Sequence, residues 1–205
     1  MYAIVTNNEI TKFINHPKSM VIGDVQYPAK IFQLWSTSEL NAIGIYEVVF
    51  DDSNKKDKKW YINTNQSYDF DGNEVTASYG TATPKAHADT TWSQQDSDDG
   101  DLPDNKSVGD VKVEGLKTTL IKTLKSQVSN ELANTDWYIT RNTEKSTAIP
   151  SAISTHRDAV RTKQAEMETA ITNASDTPAL ETLYTYTTTD GVQSRPLGEL
   201  PTLES

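Results

Sequence analysis

Apolar and polar positions follow a period of two in the first part of the chain and a period of three to four in the second. Residues 2–5 and 10–14 are short runs rich in β-branched and aromatic side chains. Asn7-Asn8 between them accepts left-handed turn geometry, which predicts two strands joined by a tight turn. A loop from Tyr27-Pro28 leads to Ile31, Phe32 and Leu34. Ser36 or Ser38, with Glu39 in the first turn and Gly44 at the end, then predicts a short helix that buries Leu40 and Ile43. Residues 45–50 form a largely apolar run, a central strand, and 58–63 and 66–70 are strand-like. Asp71-Gly72 is a hairpin signal with a return strand over 74–79. Residues 1–92 thus predict a small N-terminal antiparallel β-rich module of the α+β class.

The period changes after residue 110. Val113, Leu116, Leu120, Leu124, Val128 and Leu132 recur every three or four positions, one face of a helix of about five turns or more. Asp110 stands ready to cap it, with Glu114 at its positive end. Asn134-Thr135-Asp136 breaks the pattern, and Trp137-Tyr138-Ile139 reads as an aromatic turn. Thr147 or Ser151, with Pro150, marks a new start. Ile153, Val160 and Met167, spaced by seven, lie on a second helix ending near Asn173-Ala174. The spacing predicts a two-helix antiparallel hairpin over 111–184, including a short third helix around 178–184, and an extended C-terminal tail over 185–205. A seam of small residues facing leucines leaves apolar surface for a partner protein or a second copy.

Charge adds a fourth region. The chain has 205 residues and a formal net charge of −10, and 96–110 alone carries −5 of it. With Gly100, Pro103 and Gly109 there, 93–110 reads as an acidic linker. Only 35% of residues are hydrophobic, which argues against one large core. An acidic chain is a poor ligand for phosphate backbones. Its one dense basic run, Lys55-Lys56-Asp57-Lys58-Lys59, reads as a solvated loop, so no nucleic-acid partner is expected. Nor is a membrane: no run of about 18 apolar residues exists, and the N-terminus does not read as a signal peptide.

Cysteine is absent, which excludes disulfides, thiolate metal sites and Cys nucleophiles. His16, His87 and His156 stand apart in sequence, without metal-ligand spacing. Phosphate-binding glycine loops and a nucleophile elbow are missing. Asp96, Asp98, Asp99 and Asp101 do not make a calcium loop: counted from Asp96, the fifth position is Gly100 and the twelfth Ser107. A loop counted from Asp69 fails at Glu74 and Gly80 in the same way. Cofactors, metals and catalytic residues are therefore expected to be none. The enzymatic alternative is a carboxylate-dependent glycoside hydrolase using Glu39 and Glu47, which must face each other about 5–10 Å apart across a cleft.

One stretch is more specific. Thr135-Asp136-Trp137, then Arg141, then Pro150 at a helix start, then Arg157 and Arg161 four apart, resembles the tail assembly chaperone-like family of tailed bacteriophages over about 111–175. His156 stands where that family commonly has an aromatic residue. Gln26-Tyr27-Pro28, Trp35-Ser36 and 39–46 are similar to the small leading domain of phage tail and tail-fibre proteins. The resemblance implies a non-enzymatic tail protein that binds a tail fibre or baseplate protein, as a transient chaperone or as a permanent structural subunit. It would reside in the virion tail or in the host cytoplasm during assembly. Trp137, Tyr138, Arg141, Arg157 and Arg161 are then the expected partner-binding residues. A purely structural reading stands beside this: Trp137 covering the hairpin core, Thr135 or Asp136 capping a helix, and the arginines pairing with Asp136, Glu144 or Asp158.

Overall fold

In the computed structural model, which describes residues 1–64 and 66–203, the chain forms two compact units that meet in sequence between Thr83 and Pro84. In the first, β1 (Tyr2–Thr6) turns into β2 (Glu9–Ile14) through Asn7 and Asn8, both at positive φ. A small hairpin, β3 (Met20–Ile22) and β4 (Val25–Tyr27), precedes the short helices α1 (Ile31–Leu34) and α2 (Thr37–Ala42). Ser36 caps α2 in a reciprocal box: its hydroxyl accepts the Glu39 N–H, and the Glu39 carboxylate accepts the Ser36 N–H at 2.7 Å. Gly44 ends the helix at φ +80°, and a Cβ there would lie 2.6 Å from the Val5 carbonyl oxygen. The close approach lets Val5 N–H donate to Gly44 O at 2.8 Å, which brings the helix exit against β1.

Beyond it run β5 (Ile45–Asp51), β6 (Tyr61–Ile62), β7 (Ser67–Phe70) and β8 (Val75–Ser78). The main sheet has the order β2-β1-β5-β8-β7, with β5 in the middle. It curls until Phe13 on one edge strand and Tyr68 on the other stack at 4.4 Å between ring centroids. Side-chain alternation serves two apolar layers. Ala3, Val48, Val75 and Ala77 fill one face, and Ile31, Leu40 and Ile45 fill the other beneath the helices. The expected antiparallel sheet is corrected here: β5 and β8 are parallel, Val48 opposite Val75, and the other pairs are antiparallel. The 52–74 crossover carries β6 and β7 and brings β8 back in the direction of β5. A period of two marks a strand but not the direction of its neighbour.

The second unit departs further from expectation. After β9 (Thr83–Pro84), which spans the boundary, come β10 (Thr90–Thr91), α3 (Gln94–Asp98) and β11 (Val111–Val113). β10 and β11 pair, and Trp92 exchanges backbone bonds with Gly109 and Asp110. The acidic stretch therefore leaves and re-enters at one point, closed by its own base. Ser93 caps α3 in a reciprocal box with Asp96, which also forms an ion pair with Lys112. Four helices follow: α4 (Leu116–Ala133), α5 (Asp136–Lys145), α6 (Ser151–Asn173) and α7 (Thr177–Tyr184). The hairpin β12 (Thr187–Thr189) and β13 (Val192–Ser194) ends the regular structure.

A small antiparallel α+β module followed by a two-helix hairpin and an extended tail is thus overturned. The fold is mixed α/β, with a curled five-stranded sheet, several small sheets and seven helices among the described residues. Three physical reasons account for the difference. Val113 belongs to β11, and α4 starts at Leu116 because its first N–H groups are satisfied by another segment: Leu116 N–H donates to Ala86 O, Lys117 N–H to His87 O, and Gly115 N–H to the Asp89 carboxylate at 2.7 Å. Asp110, expected as the cap, instead accepts the Ser107 N–H in a turn. The aromatic turn is a full helix, α5. The tail folds back because Asp190 and Gly191 both take positive φ, the turn of a two-residue hairpin, and Leu197 is buried with its N–H on Leu183 O. The leucine stripe expected to remain open is largely covered within the chain: Leu120, Leu124 and Val128 are buried where α4 packs on α6, with Ile153, Val160, Met167 and Ile171 buried on α6 and Leu180 on α7.

Candidate interaction site

The sequence motif gathers at the corner where α4 ends, α5 begins and α6 passes beneath. α4 stops at Ala133 with unpartnered terminal carbonyls, as every helix does. Arg157 of α6, only 7% exposed, supplies a donor. Its Nη1 donates to Leu132 O at 2.8 Å and to Thr135 Oγ1 at 2.6 Å, and lies 2.9 Å from Asp136 Oδ1. Thr135 is buried too, and its hydroxyl donates to Leu132 O at 2.9 Å. Thr135 occupies the N-cap position of α5, yet its hydroxyl serves the end of α4 and Arg157 rather than the first turn of α5. One residue behind the clamp, buried His156 meets Glu131 at 3.0 Å, a second polar tie between α6 and α4. These contacts set the angle at which α5 leaves the bundle.

α5 then runs with every residue at least partly in solvent. Its first turns carry an aromatic platform. Trp137 is 50% exposed, and its ring stacks on that of Tyr138 at 3.8 Å. The Arg141 guanidinium lies over both rings, 4.6 Å from the Trp137 centroid and 5.4 Å from that of Tyr138. The i, i+3 and i, i+4 spacing of a helix produces this stack. Arg141 Nε is out of contact with water and has no hydrogen-bond partner among the described residues. At the C-terminal end Ser146 takes φ +52°, and Asn142 Nδ2 donates to Thr147 O, which closes the helix before Pro150.

Trp137, Tyr138 and Arg141 are brought together, and Arg157 lies beneath them as their support. Arg161 is elsewhere: one turn along α6, exposed, it pairs with Asp158 at 3.4 Å. Trp137, which the structural reading put over the hairpin core, is half open to solvent. The Thr135–Arg157 contact was legible only as two motif fragments, since 22 positions separate its partners. A second stack lay outside the motif: Arg195 lies over Tyr184 and Tyr186 and pairs with Glu199 at 2.8 Å.

The carboxylates considered for hydrolysis are placed differently. Glu39 is held below the usual carboxyl range, first by the Ser36 N–H and then by its hydroxyl. That is the reverse of what a general acid requires. Glu47 lines a cavity of about 290 Å³ with Glu74, Asn41 and Asn73. Among the described residues, no group of three or more His, Asp or Glu side chains could hold a metal ion, and no helix is long and apolar enough to cross a membrane. No protein-family model, curated protein or solved structure matches the chain.

Proposed function

We propose that this chain is a non-enzymatic bacteriophage tail protein that docks on a tail fibre or baseplate protein during assembly, through the exposed aromatic face of α5. One observation supports this reading above the others. Five of the residues singled out by the resemblance, Thr135, Asp136, Trp137, Arg141 and Arg157, converge on one corner, where a buried arginine clamp holds a helix whose aromatic side chains face solvent, while Arg161 lies apart on α6. Exposed aromatics and arginine on a rigid support are the usual composition of an interface anchor. The clamp satisfies the end of α4 and leaves Trp137, Tyr138 and Arg141 for an outside surface.

The test is a photo-reactive amino acid at position 137, introduced into the chain in phage-infected cells. Cross-linking to a fibre or baseplate protein is the expected result, with mass spectrometry of purified particles then separating a transient chaperone, absent from them, from a resident subunit. Cross-links only to host proteins, with the chain also missing from tail intermediates, overturn the reading.

A further inference from the structure

We infer that the α5 platform recognises a carboxylate in an acidic, apolar-flanked segment of a partner protein, Arg141 taking the carboxylate and Trp137 the neighbouring apolar side chain. The inference deepens the docking reading and rests on it. It comes from two stacks of the same construction within one chain. Arg195 lies 5.3 Å and 5.2 Å from the ring centroids of Tyr184 and Tyr186. Its in-plane donors are satisfied: Nη2 donates to Glu199 at 2.8 Å and Nε to Gly198 O at 3.1 Å. Arg141 lies over Trp137 and Tyr138 in the same manner, but its side chain has no ion pair or hydrogen bond to any described residue, and its Nε is shielded from water.

Ring stacking occupies the faces of a guanidinium and leaves its planar fork of N–H groups pointing outward. A carboxylate matches that fork in a bidentate pair. The Arg195 stack finds its carboxylate four residues along; the Arg141 stack has none among the described residues. Among the described residues the other three arginines, Arg157, Arg161 and Arg195, each pair with a carboxylate. A phosphate backbone fits poorly, because a single guanidinium lacks the clustered bases that such a backbone needs. The half-exposed Trp137 ring beside Arg141 asks for an apolar contact next to the charge.

The full chain is titrated with a fluorescein-labelled peptide of Glu and Leu, with matched Gln/Leu and Lys/Leu peptides, by anisotropy. The Glu peptide is expected to bind at least tenfold more tightly than the Gln peptide, and the Lys peptide not measurably. Arg141→Gln should erase the Glu preference, and Arg161→Gln should leave it intact. Independently of any variant, the Arg141 Nη–H resonances should shift on addition of the Glu peptide and stay in place with the Gln peptide. Equal binding of the Glu and Gln peptides, a preference that survives Arg141→Gln, or no binding at millimolar Glu peptide overturns the inference. Self-association of the chain that Arg141→Gln abolishes also overturns it, by making a second copy the occupant. A tail protein cross-linked from position 137 without any Glu preference leaves the docking reading standing and removes this one. Glu preference with no tail protein cross-linked does the opposite.

Discussion

Single atoms decide several outcomes. A Cβ on Gly115 would sit 2.3 Å from the carbonyl of Ala88. The approach is backbone to backbone and cannot be relieved by a rotamer. Gly115→Ala should therefore destabilise the protein by about 1–3 kcal/mol, read as a lower denaturant midpoint at unchanged m-value. Arg157 and Trp137 form an instructive pair. Large aromatics ordinarily dominate burial energetics, yet here the arginine is the buried one. Arg157→Met removes charged hydrogen bonds to Leu132 O and Thr135 Oγ1 and the ion pair with Asp136, and should cost about 2–3 kcal/mol. Trp137→Ala, at a half-exposed site, should cost only about 1–2 kcal/mol against the 3–5 of a fully buried ring. Thermal melts of the two variants side by side check the order. The motif could be read from the sequence, but its division into support and contact surface could not, because burial depends on which helices pass beneath it.

At the scale of elements, α4 is begun from outside. Ala86, His87 and Asp89 take its first N–H groups, and Thr118 Oγ1 donates to Asp89 at 2.8 Å. The Asp89 carboxyl consequently lies below its ordinary value in the folded chain, chiefly through the Gly115 N–H and next through the Thr118 hydroxyl. A carboxyl depressed by folding binds protons less readily in the native than in the unfolded state. Its stabilisation is complete above the unfolded value of about 3.9 and is lost as pH falls through the lower native value. The melting temperature should accordingly fall as pH drops below about 4, and Asp89→Asn should flatten that part of the profile. An unchanged acid slope in the variant would assign the loss to other carboxylates, such as Asp96, which Lys112 holds low. Capping of this kind escapes a local reading, since a helix start is sought in the residues just before it and here the cap lies 26 positions away.

Across the whole second unit, chain order and spatial order differ. The acidic loop is closed at its base by β10, β11 and the Trp92 bonds, and α7 is tied back by Thr177 Oγ1 donating to Lys85 O at 2.6 Å. Cleavage within the loop by an Asp-directed protease, at Asp101 or Asp104, should therefore leave two fragments that co-elute on gel filtration and separate only in denaturant. Fragments that part under native conditions would mean that the loop, rather than the packing on either side of it, holds the unit together.

What the sequence determined by itself was local. Asn7-Asn8 and Asp71-Gly72 set turns because few residues tolerate their φ values; Ser36 with Glu39 set a helix start because both partners lie within one turn. The 3.6 period marked α4 and α6 because each buries one face. The Asp190-Gly191 pair carried the same turn signal as Asp71-Gly72, set among threonines rather than apolar residues, and it folds the C-terminal segment back into a hairpin. Only tertiary structure decided the rest: the parallel pairing of β5 with β8, the remote cap of α4, and the burial of Arg157 under an exposed Trp137. Each joins residues 20 or more positions apart. Local propensity and periodicity act over a turn or a strand pair, whereas these contacts are selected by the packing of surfaces that exist only once the elements have formed.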